Sequence, residues 1–416
     1  MSRILIVGLN FHPEPIGIGK YTAELSAYLA EQGHDVHVIT THPYYPHWRV
    51  APGYPAWKYK KETWRQVEVR RCPLWVPRRP TGFTRLIHLA TFALSSLPAL
   101  VAQFRWKPDL VLCIAPALMN APFALAFARL SGAKAWLHIQ DFELDAALKL
   151  GLLPGRKWLA GLVKRLERLL LMGFDKVSSI SERMLKHLVE KGMPQGKILL
   201  FPNWVDTGQI YPLLEGPNPL RATLGLAPEQ LAVLYAGTMG KKQGLEHLLT
   251  TASRLREQCQ LQFILCGDGA VRAELENTAR GLSNVIFLQV QPVERLNELL
   301  NLADIHILSQ KADAADLVMP SKLGGMLASG KAVIATAHPN TEVGQVMSQV
   351  GEMVPPEDPA TLAEAIVGLA NDPLKRSRLG RLGREYACRH LEKETVLANF
   401  NGALEALISD QRVYGT

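Results

Sequence analysis

Two glycine-rich turns and one acidic strand end are the places where this 416-residue sequence has residue types that could do chemistry. The first turn, Asn10 to Lys20, puts Gly17 and Gly19 just before a segment with helical periodicity, Tyr21 to Gln32. Glycine lets a ligand approach the backbone closely. The free N–H groups and positive dipole end of a helix start then favour an anion such as a diphosphate. The spacing is not G-x-G-x-x-G and the turn is longer than a dinucleotide loop, which argues against a nicotinamide cofactor. A turn made only for packing is the plainer alternative. The second turn, Tyr235 to Leu245, sets Thr238, Lys241 and Lys242 among Gly237, Gly240 and Gly244. It offers backbone donors and point charges for a leaving diphosphate, where the alternative is a solvated lysine pair. In the third stretch, Trp136 to Glu143, an apolar run ends in His138, Asp141 and Glu143. These are the ionisable candidates for a reacting centre, although His138, lying within the run, also reads as a satisfied core residue.

Other chemistries find no support. No Gly-Lys-Ser/Thr phosphate loop and no G-x-S-x-G elbow occur, and His12, His42, His47 and His138 match no zinc spacing, so no metal is assigned. Cys72, Cys113, Cys259, Cys266 and Cys388 are scattered and odd in number, as expected of a reducing compartment rather than a disulfide framework. The net charge of +8 predicts anionic partners. Nucleic acid is not among them, because no recognised module accompanies the charge.

The elements that must position these residues follow from the hydrophobic pattern. Short β-branched runs at 4–7, 35–39, 109–114, 133–139 and 176–180 alternate with helical segments, then the rhythm restarts at 232–236, 262–266, 285–288, 305–309 and 332–335. Such alternation specifies βαβ units around parallel sheets. The expected architecture is α/β: two tandem Rossmann-like, doubly wound domains with the site in an interdomain cleft, beyond the carboxyl ends of the strands. The domains are placed at 1–203 and 204–385, joined by a Pro- and Gly-rich linker after Asn203. Residues 386–416 form a closing helix that returns to the first domain. Within the first domain, 42–80 reads as an irregular insertion of aromatic and basic residues. After it, Leu86 to Phe104 is an apolar helix, too interrupted for a membrane span and better suited to burial or a membrane surface.

Asn203-Trp204-Val205-Asp206, the turn Gly237 to Leu245, Gly267-Asp268-Gly269, Ala303-Asp304-Ile305 and Met319 to Leu323 with Leu327 to Lys331 resemble, in order and spacing, glycosyltransferase family 4. His138 to Asp145 and His42 to Pro46 are similar to its colanic-acid, exopolysaccharide type. The resemblance covers nearly the whole chain. It implies a GT-B fold and metal-independent transfer of a hexose from a nucleoside-diphosphate sugar with retained configuration. It also implies that Gly17 meets the donor diphosphate, that Lys241 or Lys242 lies near it, and that Gln289, Val290 and Gln291 meet the nucleobase. Ser321 and Lys322 would begin the helix over ribose and phosphates. No separate cofactor is expected beyond that donor, and the resemblance favours fucose or mannose on GDP, while the residues leave guanine, uracil and adenine open. Asp141 is the first choice for stabilising charge at the reacting sugar, with the donor phosphate itself a candidate proton acceptor.

One departure stands out. Two glutamates eight positions apart are usual in the family, and aligning Leu327 to Gly330 on its small-residue run puts Leu317 and Gly325 there instead. The acceptor is expected to be a lipid-linked or oligosaccharide chain, met at an anionic membrane surface on the cytoplasmic side through Trp48 to Arg79 and the apolar helix. The competing readings are an epimerase or synthase on the same plan, or an inactive scaffold of a polysaccharide-assembly complex.

Overall fold

In the computed structural model the described residues are 1–14, 17–115, 118–142, 157–213, 218–258, 260–312 and 320–414. They form two compact units, one of Met1–Pro202 with Leu397–Thr416, the other of Asn203–Val396.

The first unit is an eight-stranded sheet of β1 (Arg3–Gly8), β2 (Asp35–Thr41), β3 (Lys60–Trp64), β4 (Val67–Cys72), β5 (Leu110–Ala115), β6 (Lys134–Ile139), β7 (Lys176–Ser179) and β8 (Ile198–Leu200). Its order is β3-β4-β2-β1-β5-β6-β7-β8, and every pairing is parallel except β3 with β4. The apolar runs become strands because both faces are covered. Ile4, Leu5, Ile6 and Val7 are fully buried, as a sheet between two helix layers requires. The second unit is a six-stranded parallel sheet ordered β11-β10-β9-β12-β13-β14, from β9 (Leu231–Ala236), β10 (Leu261–Cys266), β11 (Val285–Leu288), β12 (Ile305–Leu308), β13 (Ala332–Thr336) and β14 (Glu352–Val354). Both sheets reverse direction beside their first strand, the doubly wound pattern.

Three expectations are corrected. The insertion 42–80 is not irregular throughout: β3 and β4 form an antiparallel hairpin, and β4 extends the main sheet beside β2. Its anchor is Arg71, 1% exposed, which reaches Glu62 Oε1 at 2.6 Å, the Thr41 carbonyl at 2.9 Å and the His12 carbonyl at 2.5 Å. Each of its three nitrogens thus has an acceptor, one of them a carboxylate, which is how a buried cation is held. The segment after Asn203 is not a free linker. Arg384 donates to the carbonyls of Thr207 and Ile210, and Val205 bridges Glu392, so this stretch belongs to the second unit up to Leu213; Gly216 and Pro217 lie outside the described residues. The closing helix, Lys393–Tyr414, joins the first unit only from Leu397 on. There Phe400 stacks on Phe201 at 4.2 Å and tilts on Trp136 at 4.7 Å, while Asn401 meets His34 at 2.9 Å.

Candidate functional site

In the second unit the turns after β9 and β10 lie backbone on backbone. Gly237 N–H donates to the Cys266 carbonyl at 2.9 Å and Met239 N–H to the Asp268 carbonyl at 2.8 Å. Gly237, Gly267 and Gly269 have φ of 147, 152 and 154°, a region open to glycine. A Cβ on Gly267 would overlap the Gly237 carbonyl, and one on Gly269 the Met239 carbonyl. The Gly237–Met239 and Gly267–Gly269 segments therefore need glycine for packing, before any ligand is considered. Arg272 fixes the second turn from below by donating to the Gly267 and Leu288 carbonyls.

Beside Gly237 stands Lys322, in the first turn of the helix Ser321–Ala328. Its Nζ is 3.3 Å from the Tyr235 hydroxyl and 4.4 Å from the centre of that ring, and a Cβ on Gly237 would come 3.6 Å from it. The Tyr235 hydroxyl donates onward to the Thr238 carbonyl at 2.6 Å. Burial pulls the Lys322 ammonium down to about 8. Among the described residues its hydrogen-bond partner is a neutral phenol. A partly buried cation so placed is electrostatically under-compensated and suited to an incoming anion. Ser321 and Thr238 are exposed around it.

Lys241 and Lys242 are exposed on a short 3₁₀ turn, and the Lys242 carbonyl accepts from Lys311 N–H at 2.9 Å. Gln289, Val290 and Gln291 follow β11. The Gln289 carbonyl is already taken by Cys266 Sγ at 3.3 Å and Gln291 Nε2 at 2.9 Å, leaving Val290, 64% exposed, as the open part of that backbone. Gly325 faces inward: a Cβ there would sit 3.2 Å from Leu300 Cδ1. Leu317 lies outside the described residues.

In the first unit the turn after β1 is occupied by one of the protein's own acidic side chains. Glu14, 4% exposed, accepts from Asn10 Nδ2 at 2.8 Å and from the N–H groups of Tyr44 at 3.0 Å and Tyr45 at 2.9 Å. Burial, offset only in part by these donors, holds its carboxyl above the ordinary carboxylate range. Gly19 is the glycine that admits it, since a Cβ there would lie 2.9 Å from Glu14 Oε2. Gly19 thus packs a side chain rather than facing an open site. Among the described residues, Gly17, at φ 67°, has just the Tyr45 ring near, at 3.8 Å.

Asp141 is exposed just beyond β6, followed by Phe142, which is buried against the His187 ring at 4.9 Å. His138 is not at the strand end but in the core, 2% exposed, sharing the Ser178 hydroxyl with Trp136 Nε1 at 2.9 Å each and edged by Phe201 at 4.9 Å. Burial drives its pKa down to about 3, so it is neutral near pH 7. Glu143 lies outside the described residues. Among the described residues no three His, Cys, Asp or Glu side chains gather as metal ligands. Tyr235 and Glu14 were not singled out from sequence. A tyrosine in an otherwise aliphatic strand, two residues before a glycine turn, was the readable signal for the first. Glu14 has one local donor, Asn10, four residues away, but the two backbone donors that complete its site are 30 and 31 residues away.

Residues 17–204 match the family described as glycosyl transferase 4-like domain, and residues 230–372 match glycosyl transferases group 1. The sequence is 42% identical over 403 residues to the colanic acid biosynthesis glycosyl transferase WcaI of Escherichia coli (strain K12), covering 96% of this chain and 98% of that one. The chain belongs to glycosyltransferase family 4. Within the family this glycosyltransferase is of the colanic-acid type. Its fold is GT-B: sucrose-phosphate synthase from Thermosynechococcus elongatus superposes with a TM-score of 0.75 at 18% identity, covering 99% of this chain and 100% of that one. The Anabaena protein Alr3699/HepE, solved with UDP-glucose, gives 0.66 at 16% identity over 98% and 100%. At such identities these two likenesses speak for fold alone.

Proposed function

We propose that this glycosyltransferase moves a hexose from a nucleoside-diphosphate sugar, with retention and without a metal ion, onto a lipid-linked saccharide during exopolysaccharide assembly. The observation that carries the donor reading is Lys322. Its ammonium is held against a phenol beside a glycine turn, where a diphosphate would supply the missing charge. Ser321 N–H at the helix start, the Thr238 turn and, from farther out, Lys241 and Lys242 would complete the grip. With lysines in that role, charge developing on the leaving diphosphate is met by ammonium groups and backbone dipoles. Asp141 is assigned to the reacting sugar. Val290 is assigned to the base, and GDP, carrying fucose or mannose, is the expected donor; UDP-glucose, held by the Anabaena protein, is the competing class.

Thermal shift and calorimetry with GDP, UDP and ADP, in the presence of a chelator, test this reading. Stabilisation by one diphosphate, lost in Lys322→Ala, is the expected result, because a ligand well above its dissociation constant raises stability by a few kcal/mol. No stabilisation by any of the three, or binding only with added divalent metal, contradicts it. Binding without release of free nucleoside diphosphate in the presence of membrane extract would instead favour a non-catalytic scaffold, the reading to which Gly325, in place of the usual glutamate, otherwise lends weight.

A further inference from the structure

The first unit carries a surface of unusual make-up on one side of its sheet. The helices Gly82–Val101, Ala121–Ser131 and Lys157–Gly173 connect strands that advance steadily from β4 through β5 and β6 to β7. Right-handed crossovers running in one direction put all three on the same face. They are neighbours there: Phe104, just past the first helix, tilts on Phe127 of the second at 4.7 Å, and Arg129 donates to the Gly173 carbonyl of the third at 2.6 Å.

The first helix is long and apolar enough to cross a bilayer by length and composition. It does not behave as a span, because Leu89, Phe92, Ala93, Ala99 and Leu100 are in the core of the unit. Yet the residues it leaves outside are also apolar: Phe83 is 69% exposed, Leu94 63% and Val101 62%, with Ile87 in the same stripe. The spacing of 83, 87, 94 and 101 is that of one helix face. Tyr59, bonded to the Ser95 carbonyl at 2.9 Å, and the exposed Trp57 flank it. The third helix repeats the pattern, with Leu162, Leu166, Leu169 and Met172 exposed.

Charge decides what covers this surface. The three helices contain one acid, Glu167, and it is buried and paired with Lys191 at 2.7 Å. The cations Arg85, Lys164, Arg165 and Arg168 are exposed. Apolar stripes fringed by cations, with aromatics at the edge and no exposed acid on these three helices, complement an anionic bilayer interface rather than another protein's mixed surface; the exposed acids Glu182 and Glu190 belong to the next helix, Glu182–Glu190, at the β8 edge.

We infer that the outer face of these three helices lies on an anionic membrane, with Lys157–Gly173 as an interfacial helix beside Gly82–Val101. This names the surface at which the lipid-linked acceptor of the proposed reaction would be met, but its test needs no nucleotide. The full chain is sedimented with vesicles of phosphatidylcholine alone or mixed with phosphatidylglycerol, at low and high salt. The expected result is salt-sensitive binding to the anionic vesicles only. Lys164→Ala, Arg165→Ala and Arg168→Ala each lower the partition coefficient about fivefold, on the order of a hundredfold together. Leu94→Ser with Leu166→Ser weakens binding at every salt concentration. These positions are exposed, and an unchanged thermal unfolding profile confirms that each variant folds. Failure of the parent protein to bind, or equal binding by the triple variant, overturns the inference. So does a dimer in sedimentation velocity that the leucine variants dissociate, which would assign the face to a second copy. A protein that binds vesicles but no nucleoside diphosphate would sink the functional reading and leave this one standing.

Discussion

The turns that follow the first strand of each unit are topologically equivalent, and they are built in opposite electrostatic senses. After β1, the helix start is packed at Gly19 against the buried carboxyl group of Glu14, which takes N–H groups from Tyr44 and Tyr45 and leaves no room for a side chain at position 19. After β9, glycines 267 and 269 let two turns touch, and the group brought alongside Gly237 is the ammonium of Lys322. One turn supplies its own acidic side chain. The other supplies a cation whose described hydrogen-bond partner is neutral. The same fold position thus holds a buried carboxyl group in one unit and a lysine ammonium in the other, and it is on this difference that the proposal places the donor's diphosphate in the second unit and Asp141 at the sugar.

The most drastic way to break this comparison is Gly267→Ala. Its Cβ would overlap a backbone carbonyl, at a φ that side chains rarely adopt. A loss on the order of 4 kcal/mol is expected in denaturant unfolding, with nucleotide binding lost as well. Gly17→Ala has room among the described residues, but its backbone, at φ 67° and ψ −151°, lies in a region nearly exclusive to glycine, a strain of about 1–3 kcal/mol. Asp141→Asn sharpens the division of labour. Turnover should fall about a hundredfold or more with the diphosphate dissociation constant unchanged, read by steady-state kinetics beside calorimetry. A matching loss of affinity would put Asp141 in the grip instead.

Lys322→Ala should weaken diphosphate binding about 30-fold, near 2 kcal/mol, whereas Lys241→Ala or Lys242→Ala, exposed, should cost two- to threefold. The pH dependence has a definite sign. With its folded value pushed down to about 8, Lys322 is charged below that pH and loses its proton above it. Affinity should therefore be level up to about pH 8 and fall by up to tenfold per unit beyond, and Lys322→Arg should flatten the curve because arginine stays charged. In the empty protein the same burial acts against stability below pH 8, and that penalty is relieved as pH rises towards the unfolded value. The smallest effect is expected from Glu14→Gln. The amide oxygen can still accept the two N–H groups, so thermal stability at neutral pH should change by less than about 1 kcal/mol.

How much of this could be read from sequence depended on whether the signal was local. The central strands were legible because parallel strands covered on both faces are continuous apolar runs; Ile4 to Val7 and Leu261 to Cys266 are examples. The hairpin β3–β4 was not. Lys60-Lys61-Glu62 looks solvated, and the buried Arg71 breaks the rule that inward positions are apolar. β8 and β14 are three-residue edge strands, too short to show a period. Lys322 was legible only through family likeness, because what makes it chemical is Tyr235, 87 positions away. His138 has the right type and spacing for a catalytic group, but its neighbours Ser178, on the adjacent strand β7, and Phe201, just past β8, are 40 or more positions away in sequence and make it part of the core.

The central claim is that the donor's diphosphate is gripped in the second unit, at Lys322, and not at the glycine turn of the first. Isothermal titration of nucleoside diphosphate into the parent protein, Lys322→Ala and Gly17→Ala tests it most directly. Affinity should fall about 30-fold in the lysine variant and stay unchanged in the glycine variant. Unchanged affinity in Lys322→Ala together with lost affinity in Gly17→Ala would contradict it.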